Sequence, residues 1–400
     1  MCKICRVKLD RVLFDLSSFV FFSCSKSEKN IELVQFNSQA NCIEKEFLLE
    51  DIADVSYVFF KIDKDDTAFR GRPLHISKNT IVIFDFPTGD FHLFDLRGNL
   101  ISCFNHKGLG PDDYMSVISA FVDEKKDELY VVEKNKIKIY SKAGTFIRTL
   151  NLPNDAWVYE AVEYDDRSIL LADNYERAAG TYADLANTNA DTYMEPFVRI
   201  SKVDGSVIEY ITVPKDFSVD MTATFQMGER TMKIGGPLYR IVSNKDGFLL
   251  SNPEIDTLFL FSKKEKLNPI WVHNPSVKDM ETKNYLNAYV EAGGYQFFEK
   301  VTLKVEKTPP LPSVALLFDS KTNTFFRQKV MMKDFEGEII PITPEIIQRT
   351  RNAHVGHVML SLPKLKEALE AGRLSGRLKE IVSVSSEEDN DILMLLHFKH

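Results

Sequence analysis

The sequence is poor in cysteine, in runs of basic residues and, after its first residues, in long apolar segments. Its 400 residues include 5 cysteines and carry a formal net charge of -8. Beyond residue 24 only Cys42 and Cys103 remain, too few for a disulfide framework or a cysteine-rich metal site. Because an acidic chain without basic clusters would repel a phosphate backbone, we expect no nucleic acid as a partner.

Motifs that would carry out a reaction are also missing. The sequence contains no P-loop, no dinucleotide-binding fingerprint and no HExxH. His354 and His357 lie on an expected strand, where a spacing of three directs side chains to opposite faces and argues against a shared metal. His106 with Ser116 or Ser119 has no spacing typical of a catalytic triad. The sequence therefore favours binding over catalysis and leaves enzymatic activity open.

The first residues have the pattern of a signal peptide. Four basic residues precede an apolar stretch that ends at Phe22, and Ser23 and Cys24 follow it. This pattern over residues 1–23 is typical of an exported protein. A small residue before a cysteine, with polar residues after it, resembles a bacterial lipobox, in which Cys24 receives the lipid. We therefore expect residues 24–44 to form a tether; the alternative is a misassigned start of the chain.

A lipid on Cys24 would also determine where the protein resides. No later apolar run approaches the ~20 residues needed to span a bilayer, so the lipid anchor would be the only membrane attachment. We expect an exported lipoprotein in the periplasm, on the outer membrane or on the cell surface.

The sequence is rich in aromatic residues and in short strand-like runs. It contains 29 phenylalanines and 14 tyrosines, which strands favour. From residue 74 onward, groups of four such runs alternate with turns, and the turns at 98, 144, 205, 265 and 322 are 46, 61, 60 and 57 residues apart. Four-stranded units at this period are typical of β-propeller blades, so the expected fold class is all-β.

After five such units, the remaining strand candidates predict a sixth blade. After the fifth unit the chain has three strand candidates, at 337–342, 354–360 and 392–398. The segment 55–62 precedes the first unit and is available as the outer strand of the last. Pairing of 55–62 with 392–398 would close a six-bladed ring over residues 45–400, with no bare edge between the first and last blades. We expect this ring to be monomeric.

Several motifs resemble those of a known family. The turn KGLGPDDY at 107–114 is similar to a Gly-x-Gly-Pro-Gly-Glu-Tyr turn, and 129–133 with 135–140 resemble a central strand pair. The acidic turn at 387–390 precedes the last strand in a similar way. On these motifs, residues 45–400 resemble the NHL-repeat-like six-bladed β-propeller lipoproteins of Gram-negative bacteria. The resemblance implies the fold and export, but no defined reaction.

The longest connections belong to one face of the predicted ring. In a propeller, the connections from the second to the third strand and from the outer strand to the next blade share a face, and connections of unusual length on it indicate function. The last long connection contains an amphipathic helix with Ser361 as N-cap. We expect this long-loop face to be the functional surface; the alternative is that the loops only fill the centre of the ring. The five long connections are 173–195, 214–237, 274–284, 304–312 and 362–390.

The expected binding residues are aromatic and polar side chains of this face. Such side chains suit the recognition of a sugar or a peptide better than bond cleavage. They are His106, Lys107, Tyr114, Tyr175, Tyr182, Tyr193, Tyr285 and Tyr295.

Three carboxylates end the second strands of successive predicted blades: Asp85, Glu133 and Asp173. Side chains so placed are weak candidates for a Ca²⁺ site, and no other cofactor is expected. The alternative is that each accepts hydrogen bonds from backbone N–H groups of its own turn.

The sequence thus predicts an exported binding or scaffolding module whose ligand is a glycan, a peptide or an envelope protein. Two alternatives stay open. One is a propeller lyase or hydrolase that acts on glycan or peptide, and the other is a structural subunit of an envelope complex.

Overall fold

The computed structural model describes residues 33–60, 71–152, 157–173, 193–214, 221–235, 240–252, 255–264, 266–305, 311–343, 355–386 and 389–399. The described chain begins with three strands and one short helix: β1 (Val34–Asn37), β2 (Glu44–Leu48), α1 (Leu49–Ile52) and β3 (Ala53–Val58). Each of these strands joins a sheet formed by later parts of the chain.

The next twelve strands form three antiparallel sheets of four strands each, in chain order from the inner to the outer edge. Sheet 1 consists of β4 (Arg72–Ile76), β5 (Thr80–Phe84), β6 (Phe91–Asp95) and β7 (Leu100–Phe104). Sheet 2 consists of β8 (Ser119–Asp123), β9 (Glu128–Val132), β10 (Lys136–Ser141) and β11 (Phe146–Asn151). Sheet 3 consists of β12 (Val158–Glu163), β13 (Ser168–Asp173), β14 (Tyr193–Ser201) and β15 (Val207–Pro214).

A separate hairpin of two strands follows, β16 (Thr222–Met227) and β17 (Arg230–Gly235). Sheet 4 consists of β18 (Ile241–Asn244), β19 (Gly247–Leu250), β20 (Thr257–Ser262) and β21 (Leu267–Asn274). A 3₁₀ turn at Val277–Asp279 leads to sheet 5, which consists of β22 (Asn284–Ala292), β23 (Tyr295–Thr302), β24 (Ser313–Asp319) and β25 (Thr324–Met331).

The last sheet combines the two ends of the chain. Its described strands are β26 (Val355–Leu360), β27 (Ile392–Phe398) and, at the outer edge, β3, which pairs antiparallel with β27 from Ala53 opposite Phe398 to Val58 opposite Leu393. Between β26 and β27 lie two helices, α2 (Leu362–Glu370) and α3 (Gly376–Val384).

Apolar clusters join each sheet to the next and show that the six sheets form a closed ring. The runs that form central strands, such as TIVIF in β5 and ELYVV in β9, are buried along their whole length because sheets pack on both of their sides. Separate clusters of buried residues connect sheets 1 and 2, 2 and 3, 3 and 4, 4 and 5, 5 and 6, and 6 and 1. The chain is therefore a six-bladed β-propeller, and each sheet is one blade.

The first residues of the described chain run along the outer edges of three blades. Strand β1 adds a fifth, parallel strand to blade 4, with Val34 opposite Trp271, and β2 does the same for blade 5, with Glu44 opposite Arg327. Residues 24–44 are predicted to be a tether, and the structure instead places strand β1 within them, at Val34–Asn37. We call residues 34–58 the N-terminal belt, because β1, β2 and β3 lie on three successive blades.

The sixth blade differs from its predicted form. The segment 337–342 forms no strand; it makes a single bridge, Ile339 to Met331, and lies against the outer strand of blade 5 through hydrogen bonds of Ile340 and Ile342. Pro341 lacks the N–H that a ladder would need. The predicted helix after Ser361 is present as α2 and buries Leu362, whereas α3 is not predicted.

No helix in the described ranges is long and apolar enough to cross a membrane. Cys42 and Cys103 are not joined to each other by a disulfide.

Candidate functional site

The antiparallel blades divide the connections between two faces. The long-loop face carries the connections from second to third strands and from each outer strand to the next blade, including the hairpin β16–β17 and the helices α2 and α3. The opposite face, here called the turn face, carries short connections such as 124–127, 164–167 and 293–294. The two faces therefore differ in how much chain is available to form a site.

On the long-loop face, the described loops pack against one another. Met221, beside the hairpin, forms an apolar cluster with Val277, Met280 and Leu311 from the neighbouring connections. Tyr285 belongs to this cluster and is only 7% exposed, so its ring serves mainly to hold the loops together.

The turn at 106–114 is held by its own hydrogen bonds. The Tyr114 hydroxyl accepts a bond from the backbone N–H of His106 at 2.9 Å and donates to the carbonyl of Gly89 at 2.7 Å, and burial raises the pKa of Tyr114 to about 12. His106 Nε2 lies 2.8 Å from the carbonyl oxygen of Gly144, and Lys107 Nζ donates to a carbonyl of the blade 1 loop. The contact of His106 with Gly144 ties this turn to blade 2, and the bonds of Tyr114 and Lys107 tie it to blade 1.

The three carboxylates predicted at strand ends all contact backbone N–H groups. Asp85 Oδ1 accepts from Thr88 at 3.3 Å, Glu133 Oε1 from Met115 at 2.8 Å, and Asp173 Oδ1 from Trp157 at 2.9 Å. Within the described ranges, no group of three or more His, Cys, Asp or Glu side chains is arranged to hold a metal ion. Asp85 thus bonds its own turn, whereas Glu133 and Asp173 bond the chain segment that precedes the first strand of their own blade.

The remaining predicted residues are not brought together. Tyr295 lies on the turn face, at the hairpin between β22 and β23, where Lys45 Nζ lies 4.4 Å from the centre of its ring. Tyr193 is the first residue of β14. Cys24, Tyr175 and Tyr182 lie outside the described residues.

Sequence reasoning missed a set of aromatic and cationic side chains at the strand ends of the long-loop face. Arg72 lies 4.4 Å from the ring centre of Phe86, Lys134 lies 4.2 Å from Trp157, and Arg240 lies 4.8 Å from Tyr159. These distances are typical of cation–π contacts. We call the set the aromatic–cation rim: Arg72, Phe86, Lys134, Trp157, Tyr159 and Arg240.

The rim spans adjacent blades and is partly open to solvent. Phe86 is 38% exposed and Tyr159 is 36% exposed, although most aromatic side chains of the blades are buried. Arg240, in contrast, is only 6% exposed and is held in place by a bond to the carbonyl of Asp173. The available signal was an aromatic residue within two positions of a strand end. Two of the pairs, Lys134 with Trp157 and Arg240 with Tyr159, join different blades, so spacing along the sequence does not reveal them.

Two cavities of different size lie among the described residues, one on each face. A cavity of about 740 Å³ opens among the turns of blades 1, 2 and 3 and the edge of blade 6, whereas a cavity beside Tyr285 on the long-loop side has a volume of only about 30 Å³. The larger of these two cavities, which we call the turn-face cavity, lies on the face opposite the predicted functional surface.

Comparison with known proteins agrees with the fold. The family model DUF5128, described as a 6-bladed beta-propeller, matches residues 23–194. A crystal structure of a candidate exported protein from Bacteroides fragilis is similar, with a TM-score of 0.57 at 16% identity, covering 92% of this chain and 100% of that chain. A member of the duf4221 family from Bacteroides vulgatus has a TM-score of 0.44 at 10% identity, covering 87% of this chain and 98% of that chain.

No curated protein matches the sequence. The family match and the similarity to the Bacteroides fragilis structure both support the six-bladed architecture that the inter-blade cores show. On this evidence the chain is similar to six-bladed β-propellers in sequence over its first half and in structure over most of its length.

Proposed function

We propose that the protein is an exported binding module that recognises an acidic glycan with its long-loop face. The observation that carries the proposal is the aromatic–cation rim, because it places flat apolar rings and fixed positive charges side by side at the strand ends of four blades.

Each half of a rim pair has a use in glycan recognition. The face of an aromatic ring packs against the C–H face of a sugar, and the neighbouring guanidinium or ammonium group is a partner for a carboxylate. Arg72, which is exposed, offers the planar donor geometry that carboxylates bind in bidentate form. A sugar that carries a carboxylate, such as a uronic acid, meets both requirements.

Export and lipid attachment are part of the same proposal. They rest on the signal-peptide pattern of residues 1–23 and on the similarity to a protein described as a candidate exported protein. A Cys24→Ala variant is expected to remain unprocessed and to incorporate no labelled fatty acid. Equal labelling of the variant and the wild type would contradict the anchor.

The binding proposal is tested by calorimetric titration with oligogalacturonate, with a neutral oligosaccharide of equal length and with an acidic peptide. We expect oligogalacturonate to bind, and Trp157→Ala to weaken its binding by at least tenfold, or ~1.4 kcal/mol. Tyr295→Ala is the matched control, because its ring also lies beside a lysine but on the turn face.

Three results would count against the proposal. Equal loss of binding in both variants would indicate a site away from the rim. Preference for the acidic peptide would indicate a peptide-binding module instead. Cleavage of the glycan during the titration would identify the protein as a lyase or hydrolase.

A further inference from the structure

The blades differ in whether another strand covers their outer edge. Strand β1 pairs with the outer strand of blade 4, β2 pairs with that of blade 5, and β3 is itself the outer strand of blade 6. Among the described residues, the sheets of blades 1, 2 and 3 end at their own fourth strands, β7, β11 and β15. The last strand of a sheet presents backbone N–H and C=O groups that can pair with a strand of another chain.

The covered edge of blade 4 shows which residues such a pairing uses. In blades 1 to 4, the outer strand has a bulge of one residue opposite the third strand, and the bulged residue is an isoleucine each time: Ile101, Ile147, Ile208 and Ile270. In blade 4, β1 pairs with the four residues that follow the bulge, 271–274. The equivalent residues of blade 1 are 102–105, which we call the blade 1 edge.

The bulged isoleucine is exposed wherever no strand covers the edge. Ile101 is 47% exposed, Ile147 44% and Ile208 47%. In blade 4 the equivalent Ile270 is only partly exposed and packs against a core cluster that includes Phe36 of β1. An added strand therefore removes apolar surface from water at this position, which favours pairing.

Charge distinguishes blade 1 from the other two blades. The residue after the bulge is Arg148 in blade 2 and Glu209 in blade 3, but Ser102 in blade 1.

The covered edges match their added strands in charge. Lys329 at the edge of blade 5 lies 2.8 Å from Glu46 of β2, whereas the segment 271–274 has no Asp, Glu, Lys or Arg and pairs with the uncharged β1, VQFN. The blade 1 edge, SCFN, also has no charged side chain. By the same rule it suits an uncharged strand, because a charged side chain would lose hydration there without gaining a partner.

We propose that the blade 1 edge pairs antiparallel with the same edge of a second copy of this chain, about a two-fold axis. A two-fold axis places the same surface on both sides of the contact, so the edge must be its own complement. The uncharged blade 1 edge meets this condition. Self-pairing of blade 2 or blade 3 would instead bring Arg148 or Glu209 close to the same residue of the copy, and like charges across a strand pair are destabilising.

The dimer is independent of the proposed glycan binding, because it uses the outer edge of the ring and not the aromatic–cation rim. The sequence alone predicts a monomer, since nothing in it shows that the N-terminal belt covers blades 4 and 5 and leaves blade 1 bare.

The first test is sedimentation velocity of the full-length protein over about a hundredfold range of concentration. Stable interfaces bury at least about 1,200 Å², and β7 contributes only 5 residues, so we expect a dimer that dissociates on dilution. The sedimentation coefficient should rise with concentration from the monomer value toward the dimer value. A monomer at every concentration would overturn the proposal.

Two matched substitutions locate the contact. Ile101→Lys places an ammonium group beside the blade 1 edge, where pairing would have to desolvate it, and should weaken association at least tenfold, or ~1.4 kcal/mol. Ile147→Lys makes the same change at the equivalent position of blade 2 and should leave association as in the wild type. Both side chains are exposed, so both variants should stay folded. An Ile101→Lys protein that associates like the wild type, or equal weakening in both variants, would overturn the proposal.

Cross-linking with a short bismaleimide gives a second, independent readout. Cys103 is exposed and lies within the blade 1 edge, so the two copies of this residue come close to the two-fold axis. The wild type should give a cross-linked dimer, and Cys103→Ser should lose it. The double variant Cys103→Ser, Thr149→Cys moves the thiol to the equivalent position of blade 2, Thr149 being opposite Lys138 as Cys103 is opposite His92, and should give no dimer. A dimer that persists in Cys103→Ser, or that returns in the double variant, would place the contact elsewhere and overturn the proposal.

Discussion

Lys202 Nζ donates to Asp123 Oδ2 at 2.8 Å across the boundary between blades 3 and 2. The lysine side chain is 0% exposed, and it also contacts Glu163 of its own blade. Burial acts to raise the pKa of Asp123, but the hydrogen bond and charge of Lys202 outweigh burial and hold that pKa below its usual value. One buried cation thus joins carboxylates from two blades.

The position of Lys202 recurs in other blades. In blades 2, 3 and 4 the third strand ends in a serine that is followed by a lysine: Lys142, Lys202 and Lys263. In each case the backbone N–H of the lysine donates to a backbone carbonyl of the turn between the first and second strands, at 3.2, 2.8 and 3.0 Å. The blade repeat thus fixes the backbone position of this lysine, and in blade 3 the Lys202 side chain is buried between Asp123 and Glu163.

Replacing Lys202 should therefore destabilise the ring strongly. Lys202→Met leaves Asp123 and Glu163 without their cation, and breaking a buried pair in this way costs about 3–5 kcal/mol. Lys125→Met is the control, because that lysine is 73% exposed in its pair with Asp166 and exposed pairs contribute about 0–1 kcal/mol. The measurement is urea unfolding at pH 7; equal losses in both variants would contradict the assignment.

Three histidines should make stability fall between pH 6.5 and 4. Burial lowers the pKa of His75, His273 and His357 to about 4. Since the unfolded chain then binds protons first, their contribution is complete above pH 6.5 and is lost as the pH falls toward 4. The slope is at most about 1.4 kcal/mol per pH unit for each histidine.

The measurement is the urea unfolding free energy at pH 7, 6 and 5. His75→Phe removes one titrating group, so the loss between pH 7 and 5 should be smaller in this variant. The lowered pKa of Asp123 acts in a different window, because its contribution is lost only below about pH 4. A stability that is unchanged or higher at pH 5 would contradict the prediction.

The repeat could be predicted because each blade is built from local pairings. Strands follow one another through short turns, and the predicted turn at 144 contains Gly144 at φ 87°, with Phe104 packed where a side chain would lie. A glycine is required there because other residues rarely adopt this conformation. The helix α2 could be predicted for a similar reason, since its apolar residues recur at helical spacing.

The features that could not be predicted from the sequence depend on contacts between residues that are distant along the chain. Strand β1 is four residues long and pairs with β21, more than two hundred positions later, so no local pattern marks it. The aromatic–cation rim likewise joins side chains such as Tyr159 and Arg240 from different blades. Conversely, 337–342 has the apolar residues of a strand but is held alongside β25 as an irregular segment.

The N-terminal belt should contribute to stability from its first strand. Phe36 in β1 is 2% exposed and packs against Phe325 at 4.8 Å and His273 at 5.2 Å between ring centres. Phe36→Ala should cost about 3–5 kcal/mol, as is typical of a buried phenylalanine. Ile43→Ala is the control, because Ile43 is 68% exposed and should change stability by less than about 0.5 kcal/mol.

Truncations test the same belt. Removing residues 1–32 should leave the melting temperature unchanged, whereas removing residues 1–40 deletes β1 and should lower it. The expectation from sequence alone is that only a deletion reaching β3 matters. Identical melting of the two truncated proteins would show that β1 adds nothing measurable.

The helix α2 should depend on Asp391 and not on its own N-cap residue. Ser361 occupies the N-cap position, but its side chain makes no capping bond; instead Asp391 Oδ1 accepts the N–H of Leu362 at 2.8 Å. Asp391→Ala should therefore destabilise the protein by about 0.5–2 kcal/mol, the usual cost of losing a cap. Ser361→Ala should cost less than about 0.5 kcal/mol. Because α2 buries Leu362 and Leu365 in the core of blades 5 and 6, loss of its cap should lower the stability of the whole protein. Urea unfolding of both variants measures this loss, and a larger loss for Ser361→Ala than for Asp391→Ala would assign the cap to the serine.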